Sequence, residues 1–135
     1  MSYGSARQAT RYREMEIMSA APGQLVVILY DHLLVTLRRA RMAIEAGDVE
    51  ARGELLEKAR AVVTELLVTL DHDRGGDIAR NLSGLYSFIL SELVQAGVRP
   101  SAERLDRVTV MVGELRDAFA QIAATPMPQA AAQTA

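Results

Sequence analysis

Apolar residues return every three or four positions through four long runs of this chain, and glycine or proline stands between the runs. Val26, Leu29, Leu33, Leu37, Ala40 and Ile44 form the first series, and Leu56, Ala59, Val63, Leu66 and Leu70 the second. Ile78, Leu82, Leu85 and Ile89 make the third, with Tyr86 and Leu93 beside it, and Leu105, Val108, Val112, Leu115, Phe119 and Ile122 the fourth. Spacing of this kind places side chains on one face of an α-helix. No stretch alternates with period two for long enough to suggest a half-buried strand. The fold class is therefore all-α.

The breaks fall at Pro22-Gly23, Gly47-Asp48, Gly75-Gly76, Gly97 with Pro100, and Pro126 with Pro128. Pro22 suits a first helical turn, and Gly47 suits the left-handed position that closes a helix. Asp48, Asp77 and Ser101 are N-cap residues for the second, third and fourth helices, and Gly97 ends the third. Ser101 has Arg104 three residues on instead of the acidic partner of a capping box, although Glu103 suits the first turn electrostatically. Helices of about 20–25 residues joined by connections of about 4–6 residues place sequence neighbours antiparallel. The expected architecture is an up-down antiparallel four-helix bundle over residues 21–124. An extended or short-helical N-terminal segment, 1–20, precedes it. Residues 125–135, with two prolines, no charge and little bulk, read as a disordered tail.

Charge and composition narrow the function. With 15 basic and 17 acidic residues the net charge is −2, so no bulk positive field exists to neutralise a phosphate backbone, and nucleic acid is not an expected partner. The absence of cysteine removes disulfide scaffolds, thiol nucleophiles and thiolate metal sites, and fits a reducing compartment. Glu14 and Glu16 interrupt the stretch where a signal peptide needs apolar residues. The longest strictly apolar run, Leu25 to Tyr30, is far short of the roughly 20 residues that span a bilayer. A cytoplasmic protein without stable membrane insertion is expected.

Motifs for catalysis are sparse. Asp31-His32 and Asp71-His72-Asp73 put carboxylates beside imidazoles, which can orient a general base or accept a phosphoryl group. Neighbours on a helix point about 100° apart, however, so adjacency alone makes no dyad. His72 reads as a solvated loop residue, and His32 as a groove-edge or partly buried residue within an apolar stripe. Glu-x-x-His pairs for a di-metal bundle are absent. Gly75-Gly76 before a helix can hold an anion, but it lacks the other glycines and the lysine of a phosphate loop, and a plain interhelical turn explains it. No enzymatic activity, metal or cofactor is expected.

The more informative feature is surplus hydrophobicity. The first helix carries Leu25, Ile28, Val35 and Met42 on a second face, and the second helix adds Leu55, Val62 and Leu67. One apolar face of about three residues per heptad is enough for a bundle helix. The extra residues either widen the core, bury against the N-terminal segment, or form a groove for a partner. Gly53, Gly84 and Gly113 lie inside helices at about 1 kcal/mol each relative to alanine. Close approach of another backbone accounts for them, as does drift in an alanine-rich chain whose only basic residue other than arginine is Lys58.

At Ser19-Ala20-Ala21-Pro22-Gly23-Gln24-Leu25, followed by Leu29-Tyr30-Asp31, the chain resembles the FliS family of flagellar export chaperones. Further matches follow in order: Gly47-Asp48, Lys58-Ala59, Leu70-Asp71, Gly75-Gly76-Asp77-Ile78-Ala79-Arg80-Asn81-Leu82, Leu85-Tyr86 and Leu115-Arg116-Asp117-Ala118-Phe119. The likeness runs from about Tyr12 to Ile122. It departs at His32, where the family usually has glycine, at Gly97, where it has asparagine, and at Phe119, where it has tryptophan. The resemblance implies a non-enzymatic chaperone, a monomer when free. Such a chaperone binds the C-terminal segment of flagellin, prevents its polymerisation in the cytoplasm, and helps deliver it to the type III export gate protein FlhA. An amphipathic segment that folds onto an apolar groove with anchors at i, i+3 and i+4 fits such a surface.

The family has a functional tyrosine about ten residues before the proline, and Tyr12 stands at that spacing from Pro22. Residues 1–18 also hold Met15, Ile17 and Met18, apolar residues ahead of the first helix. Such a tethered segment can cover a groove at high effective concentration until a tighter partner displaces it. The candidate partner-binding residues are therefore Tyr12, Ile17, Leu25, Ile28, Tyr30 and Val35. Two other classes share the fold. A histidine phosphotransfer module is a bundle of this size, though the usual lysine and glycine are missing after both histidines. A generic helical adaptor is the other.

Overall fold

A computed structural model describes residues 23–124 of the chain as four α-helices: α1 Gly23–Ala46, α2 Val49–Thr69, α3 His72–Val98 and α4 Ala102–Ala124. No strand occurs among the described residues. Each helix packs on its neighbour in sequence, and α1 closes the ring against α4, so α1 faces α3 across a diagonal. Antiparallel order shows in the ion pairs between α1 and α4: Asp31 meets Arg116 at 2.8 Å, and Arg41, three turns further along, meets Asp106 at 2.6 Å. The four-helix bundle read from periodicity is the observed one. Residues 1–20, the tail from 125, and Pro22 lie outside the described residues.

Local chemistry sets the helix ends. The N–H of Gly47 donates to the Ile44 carbonyl and that of Asp48 to the Ala43 carbonyl, a pattern that requires the left-handed conformation Gly47 adopts at φ +70°. Asp48 then caps α2 by accepting from the Ala51 N–H at 3.0 Å, and Ser101 caps α4 by accepting from that of Arg104 at 3.2 Å. The third helix differs from the sequence expectation. Asp71, not Asp77, is its cap, accepting from the Arg74 N–H at 3.0 Å. One turn forms before Gly76 interrupts it at φ 50°, ψ −124°, a conformation side chains disfavour. The Asp77 carboxylate engages the Arg80 side chain instead. Nor does Gly97 stop α3, which runs to Val98 and ends at Arg99, the extended residue before Pro100.

The core is built from the predicted faces with one rotation. On α3 the buried line is Leu82, Tyr86, Ile89, Leu93 and Ala96, while Ile78 and Leu85 are only partly buried. Tyr86 thus points inward, toward Tyr30 of α1 and Phe119 of α4. The Tyr30 ring lies 6.5 Å from that of Tyr86 and 5.7 Å from that of Phe119, centroid to centroid. Both separations are in the range where tilted aromatic pairs attract. The two tyrosine hydroxyls hydrogen-bond across the diagonal at 2.5 Å, so each buried polar group finds a partner in the other. Thr36, the other buried polar residue, donates to the His32 carbonyl at 2.9 Å.

Candidate functional site

Helix α1 is apolar on two sides, and only one of them is covered. Val26, Tyr30, Leu33, Leu37 and Ala40 are wholly buried. On the opposite side Leu25 is 44% exposed, Ile28 61%, Val35 44% and Met42 67%. At about 100° per residue these four lie on one stripe, and His32, also exposed, sits in its middle. Each of these four partly exposed side chains forgoes a share of the roughly 1.5–3 kcal/mol that full burial of such a side chain supplies. The stripe is a surface suited to being covered.

The surplus residues of α2 have a different fate. Val62 is buried, and Leu55 and Leu67 pack partly buried against the core. There the extra hydrophobicity widens the core. Of the predicted partner-binding residues, the structure brings Leu25, Ile28 and Val35 together on the stripe. It places Tyr30 elsewhere: fully buried, with its hydroxyl on Tyr86, it belongs to the core and not to this surface. Tyr12 and Ile17 lie outside the described residues.

Beside the stripe a groove of about 390 Å³ runs between α1 and α4. Asp31, Leu34, Val35 and Arg38 line it from α1, and Thr109, Gly113, Arg116 and Asp117 from α4. Arg116 spans the groove to Asp31 at 2.8 Å and lies 3.5 Å from Asp117. The hydrogen bond to Asp31 and its negative charge hold the Arg116 guanidinium above the usual arginine value, against a small opposing effect of burial. Asp106 does the same for Arg41. A second, shallower groove of about 320 Å³ lies between α3 and α4, lined by Leu85, Met111, Glu114 and Leu115. Phe88 is exposed one turn from Leu85. Sequence reasoning missed this seam, because Leu85 and Leu115 read as core positions and nothing local marks Phe88 as outward.

The histidines gain no catalytic company. The Asp31 carboxylate is taken by Arg116, and that of Asp71 by the cap of α3. Among the described residues no hydrogen bond joins either imidazole to a carboxylate. His72 is exposed on the first turn of α3. Among the described residues no group of three or more His, Cys, Asp or Glu side chains can hold a metal ion, and no helix is long and apolar enough to cross a membrane.

Comparison with known proteins finds relatives over most of the chain. The family model described as "Flagellar protein FliS" matches residues 5–126. The "Flagellar secretion chaperone FliS" of Salmonella typhimurium is 40% identical over 110 residues, covering 81% of this chain and 82% of that protein. The protein of the same name from Bacillus subtilis is 33% identical over 112 residues, covering 83% of each chain. That from Vibrio cholerae is 30% identical over 109 residues, covering 81% of this chain and 80% of its own.

Proposed function

The chain belongs to the FliS family of flagellar secretion chaperones, a family of chaperones and not of enzymes. From that premise we propose that it binds the C-terminal segment of flagellin, keeps it from polymerising in the cytoplasm, and assists its delivery to the export gate protein FlhA. The exposed stripe of Leu25, Ile28, Val35 and Met42 is the observation that carries this reading. A flagellin terminus is an amphipathic segment; ordering it on a surface costs conformational entropy, and apolar anchors at helical spacing offset that cost. The free protein is a monomer in this proposal, and Tyr12 and Ile17 cover part of the stripe until flagellin takes their place. A cover of this kind lowers apparent affinity by the fraction of time it is closed.

The test is co-purification of flagellin with the double variant Ile28→Asp with Val35→Asp. Both positions are exposed, so helicity should be unchanged while capture is lost. A folded double variant that still captures flagellin places the contact elsewhere.

A further inference from the structure

The groove between α1 and α4 is electrically lopsided, and its floor is bare. Two interhelical ion pairs bracket it, Arg116 with Asp31 and Arg41 with Asp106. At each end the arginine faces two carboxylates, Arg116 with Asp31 and Asp117 and Arg41 with Asp106 and Glu45, and Arg38, one turn from Arg41, offsets the surplus negative charge at the second end only. Arg38 lines the same groove two helical turns, about 10 Å, from Asp31. Among the described residues no carboxylate pairs with it. Between the ends lies Gly113, where an added Cβ would meet nothing within 4 Å. The chain's own packing therefore does not require glycine there, although glycine costs a helix interior about 1 kcal/mol relative to alanine.

We propose that Arg38 selects and orients the bound segment by receiving one of its carboxylates, while the segment's backbone passes over Gly113. This rests on the reading of the chain as a flagellin-binding chaperone and names a polar determinant within that surface. Val35 links the two features, because it belongs to the apolar stripe and also lines the groove. A segment whose apolar residues rest on the stripe thus brings its flank to Arg38 on one side of the contact. Arginine suits the task, since its planar fork binds a carboxylate through two parallel hydrogen bonds. With Asp31 and Asp117 at the other end, the reverse placement sets carboxylate against carboxylate. The groove thereby prefers one orientation of a charged segment over the other.

The experiment titrates the purified chain with a synthetic peptide covering the C-terminal segment of flagellin, at about 50 mM and about 500 mM salt, conditions that differ strongly in screening. Arg38→Glu should weaken binding roughly fivefold or more at low salt, and the deficit should shrink at high salt. Lys58→Glu makes the same change in net charge at an exposed position on α2, which lines neither the stripe nor the groove, and should change affinity less than twofold. Arg38→Gln, with helicity checked by circular dichroism, guards against misfolding of the reversed-charge variant. Replacing the peptide's acidic residues by lysine one at a time should identify one whose reversal restores binding to Arg38→Glu. Equal losses for Arg38→Glu and Lys58→Glu, a loss that high salt leaves unchanged, or rescue by no acidic position would overturn the proposal. Failure of the unaltered chain to bind the peptide overturns the flagellin reading itself, an outcome distinct from binding that ignores Arg38.

Discussion

The inner and outer faces of α1 both carry large aliphatic side chains, yet Leu33 and Leu37 are fully buried while Ile28 and Met42 stand mostly in water. Large aliphatic residues stand on both sides, so the presence of one does not by itself distinguish a core position from a surface one. What separates them is the geometry of their neighbours: α2 and α4 flank α1 and α3 closes the diagonal, which leaves one side of α1 covered by nothing else among the described residues. Helix α2 makes the point from the other direction. Its surplus residues Leu55, Val62 and Leu67 turn inward, and none of them is exposed. Surplus hydrophobicity marks a partner surface only where the bundle has no room for it.

The largest effects should come from the inner face. Leu33→Ala and Leu37→Ala remove side chains with no exposure, and each should cost about 2–5 kcal/mol. Phe119→Ala, which strips a ring from beside Tyr30, should cost about 3–5 kcal/mol. Ile28→Ala on the outer face should stay within about 0.5 kcal/mol. Urea denaturation measures all four. Comparable losses on both faces would erase the distinction between them.

A smaller effect, confined to the inner face, appears at alkaline pH. Burial pushes the Tyr86 hydroxyl up to about 12, partly offset by its hydrogen bond with Tyr30. Burial, then the neighbouring Tyr86, pushes Tyr30 up further still. In the unfolded chain both ionise near 10. Above that pH the folded state holds more protons than the unfolded one, so stability falls as pH rises. The contribution is complete below about pH 10 and is lost from there upward, through about pH 12 for Tyr86, at up to about 1.4 kcal/mol per pH unit for each tyrosine. Tyr30→Phe with Tyr86→Phe should flatten this slope, and Ile28→Asp with Val35→Asp should leave it unaltered. Thermal melts between pH 8 and 11 on the three proteins would show it.

Much of the fold was legible because its causes are local. Apolar spacing gave four helices, and Gly47, Asp48 and Ser101 act within a few residues of where they stand. Asp71 displaced Asp77 as a cap because the run Asp71-His72-Asp73-Arg74-Gly75-Gly76-Asp77 offers several carboxylates before one helix, and the turn before Gly76 decides among them. The candidate site was half legible. Leu25, Ile28 and Val35 stood out as a second stripe; spacing puts Tyr30 on the core series, four residues after Val26 and three before Leu33, but the partner that lets its hydroxyl be buried is not local. Its burial depends on Tyr86, 56 residues away. The groove was invisible for the same reason, since Asp31 and Arg116 are 85 residues apart. Pairings of that separation exist only once the helices are assembled.

The smallest expected effect separates the stripe from the groove beside it. Gly53 and Gly113 both lie in helix interiors, and at both an added Cβ meets nothing within 4 Å. Alanine at either position should therefore raise stability by roughly 0.5–1 kcal/mol, chiefly by restricting the unfolded chain. The two should part company in binding. Gly53 is on α2, outside the groove, so Gly53→Ala should leave the affinity for the flagellin peptide unchanged. Gly113→Ala puts a methyl group on the groove floor, where a backbone passing close would meet it, and should weaken binding while still stabilising the free protein. If Gly113→Ala stabilises the chain and binds the peptide as tightly as Gly53→Ala does, the segment does not descend to the floor of the groove. Its contact would then lie along the crest of Leu25, Ile28 and Val35 alone.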